Sequence, residues 1–545
     1  MKGDFSRVTF DPRNHYSQVL LQQGRVTLDA DPNEQGAIVL HHLRTMARDL
    51  FGPYGGPVDN PGFELTLATG SGDARTLLVG PGRYYVEGIL CESEGCSYTD
   101  QPHLRPAVAG KNCPGDPLRT WLESREGGDA PFWVYLDVWE RHVTSVEHPW
   151  LREPALGGPD TCSRRQVVWQ VRALAMRGVR EILVARSNQA NQRYKDSKDE
   201  LERLRLQRWI EQLQRSIDQL DQNPAGACAA PLDALRRIDL PRLAARIDPG
   251  QRLDDPCVMS PESGYRGAEN HLYRVEIHRG GENGAWPTFK WSRDNGSVLA
   301  RWLSATGNRI RVGSVRGFAP GAWVELGVEE DELQGRAGRL YRILGVDGDE
   351  LTLEGTPAWT GAPGARARRW DQVERGDVVL DEGAVPVPDG KAADGDWIDL
   401  EDGVQVRFEA GGDYRCGDYW LVPARVATGA VAWREDTNGQ PQLLPPHGIE
   451  HHYAPLGFVG DGDGGAAVTA ACTCTVYPTS TCGILAERRR ERSELDNVDR
   501  PAPPSPAKPA APAADGTVAG GKATPAAPRV ARDAVKKVVP KPPKP

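Results

Sequence analysis

The chain has 545 residues, enough for about three to four domains of ordinary size. Its 39% hydrophobic and 26% charged residues suffice for packed cores, while 60 Gly and 44 Pro mark a turn-rich protein. The formal charge is −9, and the tail from Pro501 carries eight Lys/Arg and two Asp, so −9 less +6 leaves −15 on the body. That acidic body excludes binding to a nucleic-acid backbone, which needs a concentrated basic face.

In chain order, FDPRNHYSQVLLQQGRVTLDADPNEQ begins extended and passes into a helix predicted over about Pro32 to Leu50. Asp31 stands at its N-cap and Pro32 at its first position. Ile38, Val39, Leu43, Met46 and Leu50 fall on one helical face. From Gly62 to Glu94 the pattern alternates as strands, and GPG at Gly80–Gly82 reads as a hairpin turn. PFWVYLDVWERHVTSVEH and RRQVVWQVRALAM are two further strands, rich in aromatic and β-branched residues.

Residues from about 190 to 220 differ in kind. Leu206, Ile210, Leu213, Ile217 and Leu220 step by 4, 3, 4 and 3, the spacing of a coiled-coil seam. Two readings follow from that stripe: a helix packed on its own domain, or association through these five residues, as a dimer or trimer or by pairing with a second helix. LYRVEIH and TFKWSRD then alternate as strands, and residues from about 308 to 359 form a small β-unit, a five-stranded barrel or sandwich with a hairpin at Asp347–Asp349. Trp/Tyr-rich strands resume after Asp396. The composition from Pro501 onward is too poor in apolar residues to fold.

The fold expected is mainly β and multi-domain, with antiparallel sheets arranged as sandwich or barrel units. An N-terminal helix, one inserted long amphipathic helix and a disordered C-terminal tail complete it. The organisation predicted is 1–60, extended segment plus helix; 61–186, a β-rich domain; 187–260, helical insertion and linker; and 261–305, strands completing the β-rich domain. A small barrel-like insert at 306–365, a C-terminal β-rich domain at 366–482 and a charged, Pro/Ala/Lys-rich disordered tail at 483–545 follow.

Common enzyme signatures (a phosphate loop, a nucleophile elbow, a dinucleotide fingerprint) are absent, and no catalytic residue or cofactor is expected. His447-Gly-Ile-Glu450-His451 matches the inverted zinc-protease string, but Pro445, Pro446, Gly448 and Pro455 place it in a loop instead of the helix that chemistry needs. His447, His451 and His452 are therefore metal candidates of last resort, expected to bond to backbone or neighbours. Cys472, Cys474 and Cys482, like Cys91, Cys96 and Cys113, lack the paired knuckles of a zinc site and are expected as local disulfides or buried thiols. Asp461-Gly-Asp463-Gly lacks the remaining ligands of a calcium loop and reads as a turn. Trp133, Trp139, Trp169, Trp291, Trp397 and Trp420 are expected as sheet core, with a sugar-stacking platform as the alternative. No stretch reaches the length of a membrane span and no secretory leader is read at MKGDFSRVTF, so synthesis in the cytoplasm is expected.

Four blocks carry a resemblance: GDFSRVTFDPRNHYSQVLLQQGRVTLDADPNEQ, VYLDVWERHVTSVEHPWLREPALGGPD, GYRGAENHLYRVEIH with FKWSRDNGSV, and RRWDQ with DYWLVPARVATG and PPHGIEHHYAPL. Over about residues 2–460 the chain resembles a family defined only by a domain of unknown function, whose genes tend to lie beside phage-tail-like and contractile-injection-system baseplate genes. It departs from that pattern at Pro32, where Trp is common. The resemblance implies a setting: a structural, baseplate- or fibre-associated subunit of a contractile particle, oligomeric and contacting other subunits, part of an assembled particle for which release is one option. A receptor- or glycan-binding tip protein of the same particle is the alternative reading, and a zinc-dependent hydrolase a more distant third. No nucleic-acid partner is expected; the basic tail has weak contact with an acidic surface as one option.

Overall fold

The computed structural model describes residues 1–477, except 70–74, 105–115, 124–130, 198–199, 225, 238–239, 251–263, 282–284, 359–363, 375–377, 389–396, 410 and 463–464. The expected disordered tail and Cys113, Cys257 and Cys482 lie outside the described residues.

The protein is mostly β. Phe132–Val143 is the best place to see why. Its alternation sends Phe132, Val134, Leu136 and Val138 into one core, with Phe63, Leu77, Tyr84 and Trp169. Trp133 and Tyr135 go to the other face, against Leu232 and Phe458. A strand buried on both faces needs neighbours on both edges, and it has them: Arg164–Ala175 on one side and His452–Gly462 on the other, the latter continued by Gly465–Ala471.

Four small sheets and one barrel complete the architecture. Tyr54–Pro57 pairs antiparallel with Gly82–Val86 and parallel with Thr475–Val476. Leu65–Thr69, Arg75–Val79 and Cys96–Ser97 form a separate three-stranded sheet. The glycines at Gly80–Gly82 therefore do not close the hairpin predicted there: the strands before and after them belong to different sheets. The hairpin lies one strand later, at Glu87–Gly88, where both residues have positive φ (48° and 77°) as a two-residue turn of the primed type requires. His271–Arg279 is central in a five-stranded sheet with Thr288–Ser292 and Tyr419–Arg425, and it packs on the sheet of Leu243–Ile247 and Val404–Phe408.

The β-unit expected to have five strands closes as a six-stranded barrel, in the order Leu299–Thr306, Arg309–Val312, Glu350–Leu353, Arg339–Asp347, Trp323–Gly327 and Arg366–Trp370. The Asp347–Asp349 hairpin is present, with Gly348 at φ 56°. Val324, Ile310, Leu351, Leu353 and Ala367 fill the interior.

The helices are α1 (Ala30–Phe51), α2 (Pro117–Glu123), α3 (Met176–Asp196), α4 (Glu200–Gln222) and α5 (Glu329–Leu333). In place of one inserted helix there are two, α3 and α4, packed as a hairpin. No helix among the described residues is long and apolar enough to cross a membrane.

Candidate functional site

Helix α1 starts at Ala30, two residues before its predicted first position. The reason lies in the arm before it. The Asp29 carboxylate accepts from the Ser6 amide (3.0 Å) and the Asp31 carboxylate from the Leu28 amide (2.9 Å). Gln35 accepts from the Val19 amide (2.9 Å) and Glu34 from the Thr9 hydroxyl, so the polar groups of the first turns hold the arm. On its inner side Ile38 is buried, Arg44 makes a bidentate ion pair with Glu140 (2.9 and 2.8 Å), and the helix backbone rests on the Glu87–Gly88 turn. A Cβ at Gly88 would lie 2.4 Å from the Arg44 carbonyl oxygen, so the close approach needs glycine. On the outer side Val39, Leu43, Met46 and Leu50 are exposed, as are Leu20, Leu21 and Val26 of the arm. This is the largest run of uncovered apolar side chains among the described residues.

Beside α1 opens a cleft of about 2450 Å³, walled by α4 and the loops at 411–418 and 445–453. The histidine string lies here, outside any helix. His451 Nδ1 is 2.7 Å from a carboxylate oxygen of buried Asp137, and its ring lies over Trp139 at 4.8 Å between centroids. His447 turns elsewhere. Its Nδ1 accepts from the Leu421 amide (3.3 Å), its ring stacks on Tyr419, and burial pushes its pKa down to about 4. His452 opens the strand paired with Val138, and burial lowers its pKa as well. The three candidate metal residues thus face three different partners. Among the described residues no group of three or more His, Cys, Asp or Glu is placed to hold a metal ion.

Below the cleft, a cavity of about 290 Å³ is lined by a buried ionic cluster that links the arm, the five-stranded sheet and the barrel. Glu276 contacts Arg274 (2.6 Å), Lys2 (3.1 Å) and Lys290 (3.4 Å), and Lys290 reaches Glu325 at 2.7 Å. Burial alone would raise the Glu325 carboxyl, but the Lys290 ammonium and then Lys2 outweigh it and bring its pKa to about 2. Asn295 donates to the carbonyls of Met1 and Gly3 (3.0 and 2.9 Å). Arg366 bridges Glu147 and Glu332, and Arg141 meets Glu329. Opposite charges two residues apart in otherwise apolar strands (Arg274 and Glu276) were the one signal in the sequence that could have flagged this cluster.

The heptad stripe is spent inside the chain. Leu206, Leu213, Ile217 and Leu220 are buried and Ile210 half-buried. Leu213, Ile217 and Leu220 pack with Val179 and Leu183 of α3 and with Ala227, Ala230 and Ala234. Of the proposed platform tryptophans, five are core, and half-buried Trp397 lies between the guanidinium groups of Arg246 (4.0 Å) and Arg407 (5.0 Å). Cys472 pairs with Cys228 over 244 residues, so its disulfide is not local as predicted. Among the described residues Cys91, Cys96, Cys162, Cys416 and Cys474 are free thiols; Cys91 is buried as expected, whereas Cys474 is exposed and not the buried thiol or local disulfide expected.

No curated protein matches the sequence. A crystal structure of TssK aligns with 75% of this chain and 99% of that one, at 8% identity and a TM-score of 0.15, a superposition too poor to carry any argument. The model of a family of unknown function, DUF6519, matches residues 1–545, further than the blocks read in the sequence. The chain therefore belongs to the DUF6519 family.

Proposed function

We propose that the protein is a structural subunit of a phage-tail-like contractile injection particle, baseplate- or fibre-associated, which works by protein–protein assembly and not by turnover of a substrate. One observation carries this reading: α1 and the arm leave a run of large apolar side chains exposed, while the helix is anchored beneath by an ion pair and a glycine contact. Patches of that kind mark surfaces that are covered by another molecule. The particle as the setting is what the resemblance carried by the four sequence blocks implies. The glycan-binding alternative keeps little of its platform among the described residues, since five of the six tryptophans it needs are packed inside and Trp397 is half-buried. A zinc hydrolase would need His447 and His451 on one metal, and they bond to different strands.

The test is incorporation. Particles produced with the intact protein should retain it through density-gradient purification, and a Leu43→Asp/Met46→Asp variant should be missing from them. Equal retention of the variant, or absence of the intact protein from purified particles, overturns the reading.

A further inference from the structure

The exposed side of α1 has a spacing of its own. Pro32, Gly36, Val39, Leu43, Met46 and Leu50 step by 4, 3, 4, 3 and 4, and all six face solvent. Val39, Leu43, Met46 and Leu50 are 47, 51, 53 and 69% exposed. A 3.5-residue repeat keeps one seam facing a partner helix along its whole length. The heptad pattern on α4 is consumed by α3; the one on α1 has no partner among the described residues.

We infer that this seam takes a second copy of the same helix, antiparallel and related by a two-fold axis, an inference that rests on the assembly reading above and names the first contact of that assembly. The side chains are self-complementary in this orientation. A two-fold between Val39 and Leu43 sets Val39 against the partner's Leu43, Gly36 against the partner's Met46 and Pro32 against the partner's Leu50. Small residues then face large ones, as core packing requires. A side chain at Gly36 would meet nothing within 4 Å in the single chain, so the space for the partner's methionine is open. In a parallel pair Gly36 would face Gly36 and leave a void, and the two helix dipoles would align unfavourably.

The area agrees. Seam and arm together leave eleven large apolar side chains open between Tyr16 and Phe51, each between 39 and 85% exposed. At roughly 100 Å² per side chain, a little over half open, this is on the order of 600 Å² of apolar surface. One side of a standard interface buries ~800 Å², of which ~65% is apolar at its core. A two-fold interface also closes on itself and yields a dimer, not a filament.

Light scattering on the full chain should give about twice 59.6 kDa, and Leu43→Asp/Met46→Asp should weaken the dimer by ~100-fold or more, since each Asp would be buried unpaired. Unchanged thermal melting of the dilute variant would show that the exposed substitutions leave the fold intact. Orientation is read by mixing a Val39→Cys chain with a Leu43→Cys chain. Oxidation should give the mixed cross-link in excess over the Val39–Val39 product. A trimer, or dominant Val39–Val39 cross-links, overturns the antiparallel pair. A monomeric chain that is still incorporated into particles overturns the dimer and leaves the assembly reading standing. A monomer that is also absent from particles removes both.

Discussion

Lys290 Nζ lies 2.7 Å from Glu325 Oε1, so a sheet strand and a barrel strand are joined by an ion pair between a buried ammonium and a mostly buried carboxylate. Removing Lys290 takes from the Glu325 carboxylate its nearest compensating charge and leaves it only the more distant Lys2. Lys290→Met should lower stability by about 3–5 kcal/mol, read as a fall in the urea midpoint. Glu325 also accepts from Gly338 and Trp370, so Glu325→Gln, which keeps an acceptor, should cost less. Equal midpoints for wild type and Lys290→Met would show that the pair adds nothing.

Acid should destabilise the fold well above the carboxylate range. Burial pushes His278 and His447 down to about 4 and His142 down to about 3. His142 Nε2 and His278 Nδ1 have no hydrogen-bond partner among the described residues, as suits neutral rings. In the unfolded chain each ring takes up a proton near the ordinary histidine value of about 6.5. Between that value and the folded one the unfolded state binds more protons, so stability falls as the pH drops from about 6.5 towards 4. Each ring should contribute a loss of roughly 2 kcal/mol at pH 5 relative to pH 7.5. His447→Gln, which retains an acceptor for the Leu421 amide, should flatten the measured slope, and an unchanged slope would contradict this account.

The Cys228–Cys472 disulfide closes a very long loop, 244 residues. The chain-entropy argument assigns such a bridge up to about 5 kcal/mol, through the unfolded state. Reductant should therefore lower the melting temperature of the wild type and leave a Cys228→Ser/Cys472→Ser variant unmoved.

Leu213 is fully buried between α4 and α3. Leu213→Ala should cost about 2–5 kcal/mol in local stability of the helical hairpin, visible as faster amide exchange in both helices. The solution mass should not change, because these side chains meet their own chain. A shift in mass would restore the self-association reading of this stripe.

How far the sequence reaches depends on the range of the partners. The Phe132–Val143 strand, the barrel and α1 are legible because their periodicity is local. Helix α3 was missed since Gly178 and the polar run Ser187–Asp196 dilute its apolar face, and without it the stripe on α4 had no visible partner. The GPG turn misled because turn chemistry identifies a reversal of the chain and not which sheet the next strand joins. The His451–Asp137 contact and the disulfide unite residues hundreds apart, and no pattern within a window of twenty residues encodes them; the ionic cluster left one local trace, Arg274 beside Glu276, while its link to Lys2 spans the chain.

The placement of His452–Gly462 beside Phe132–Val143 also bears on how the protein is made. Asp137 and His451 are 314 residues apart, so the ribosome must deliver the far strand long after the near one has emerged. At ~5–20 residues per second the nascent chain waits tens of seconds with one edge of this buried strand unpaired. During translation that edge is the place a chaperone would be needed.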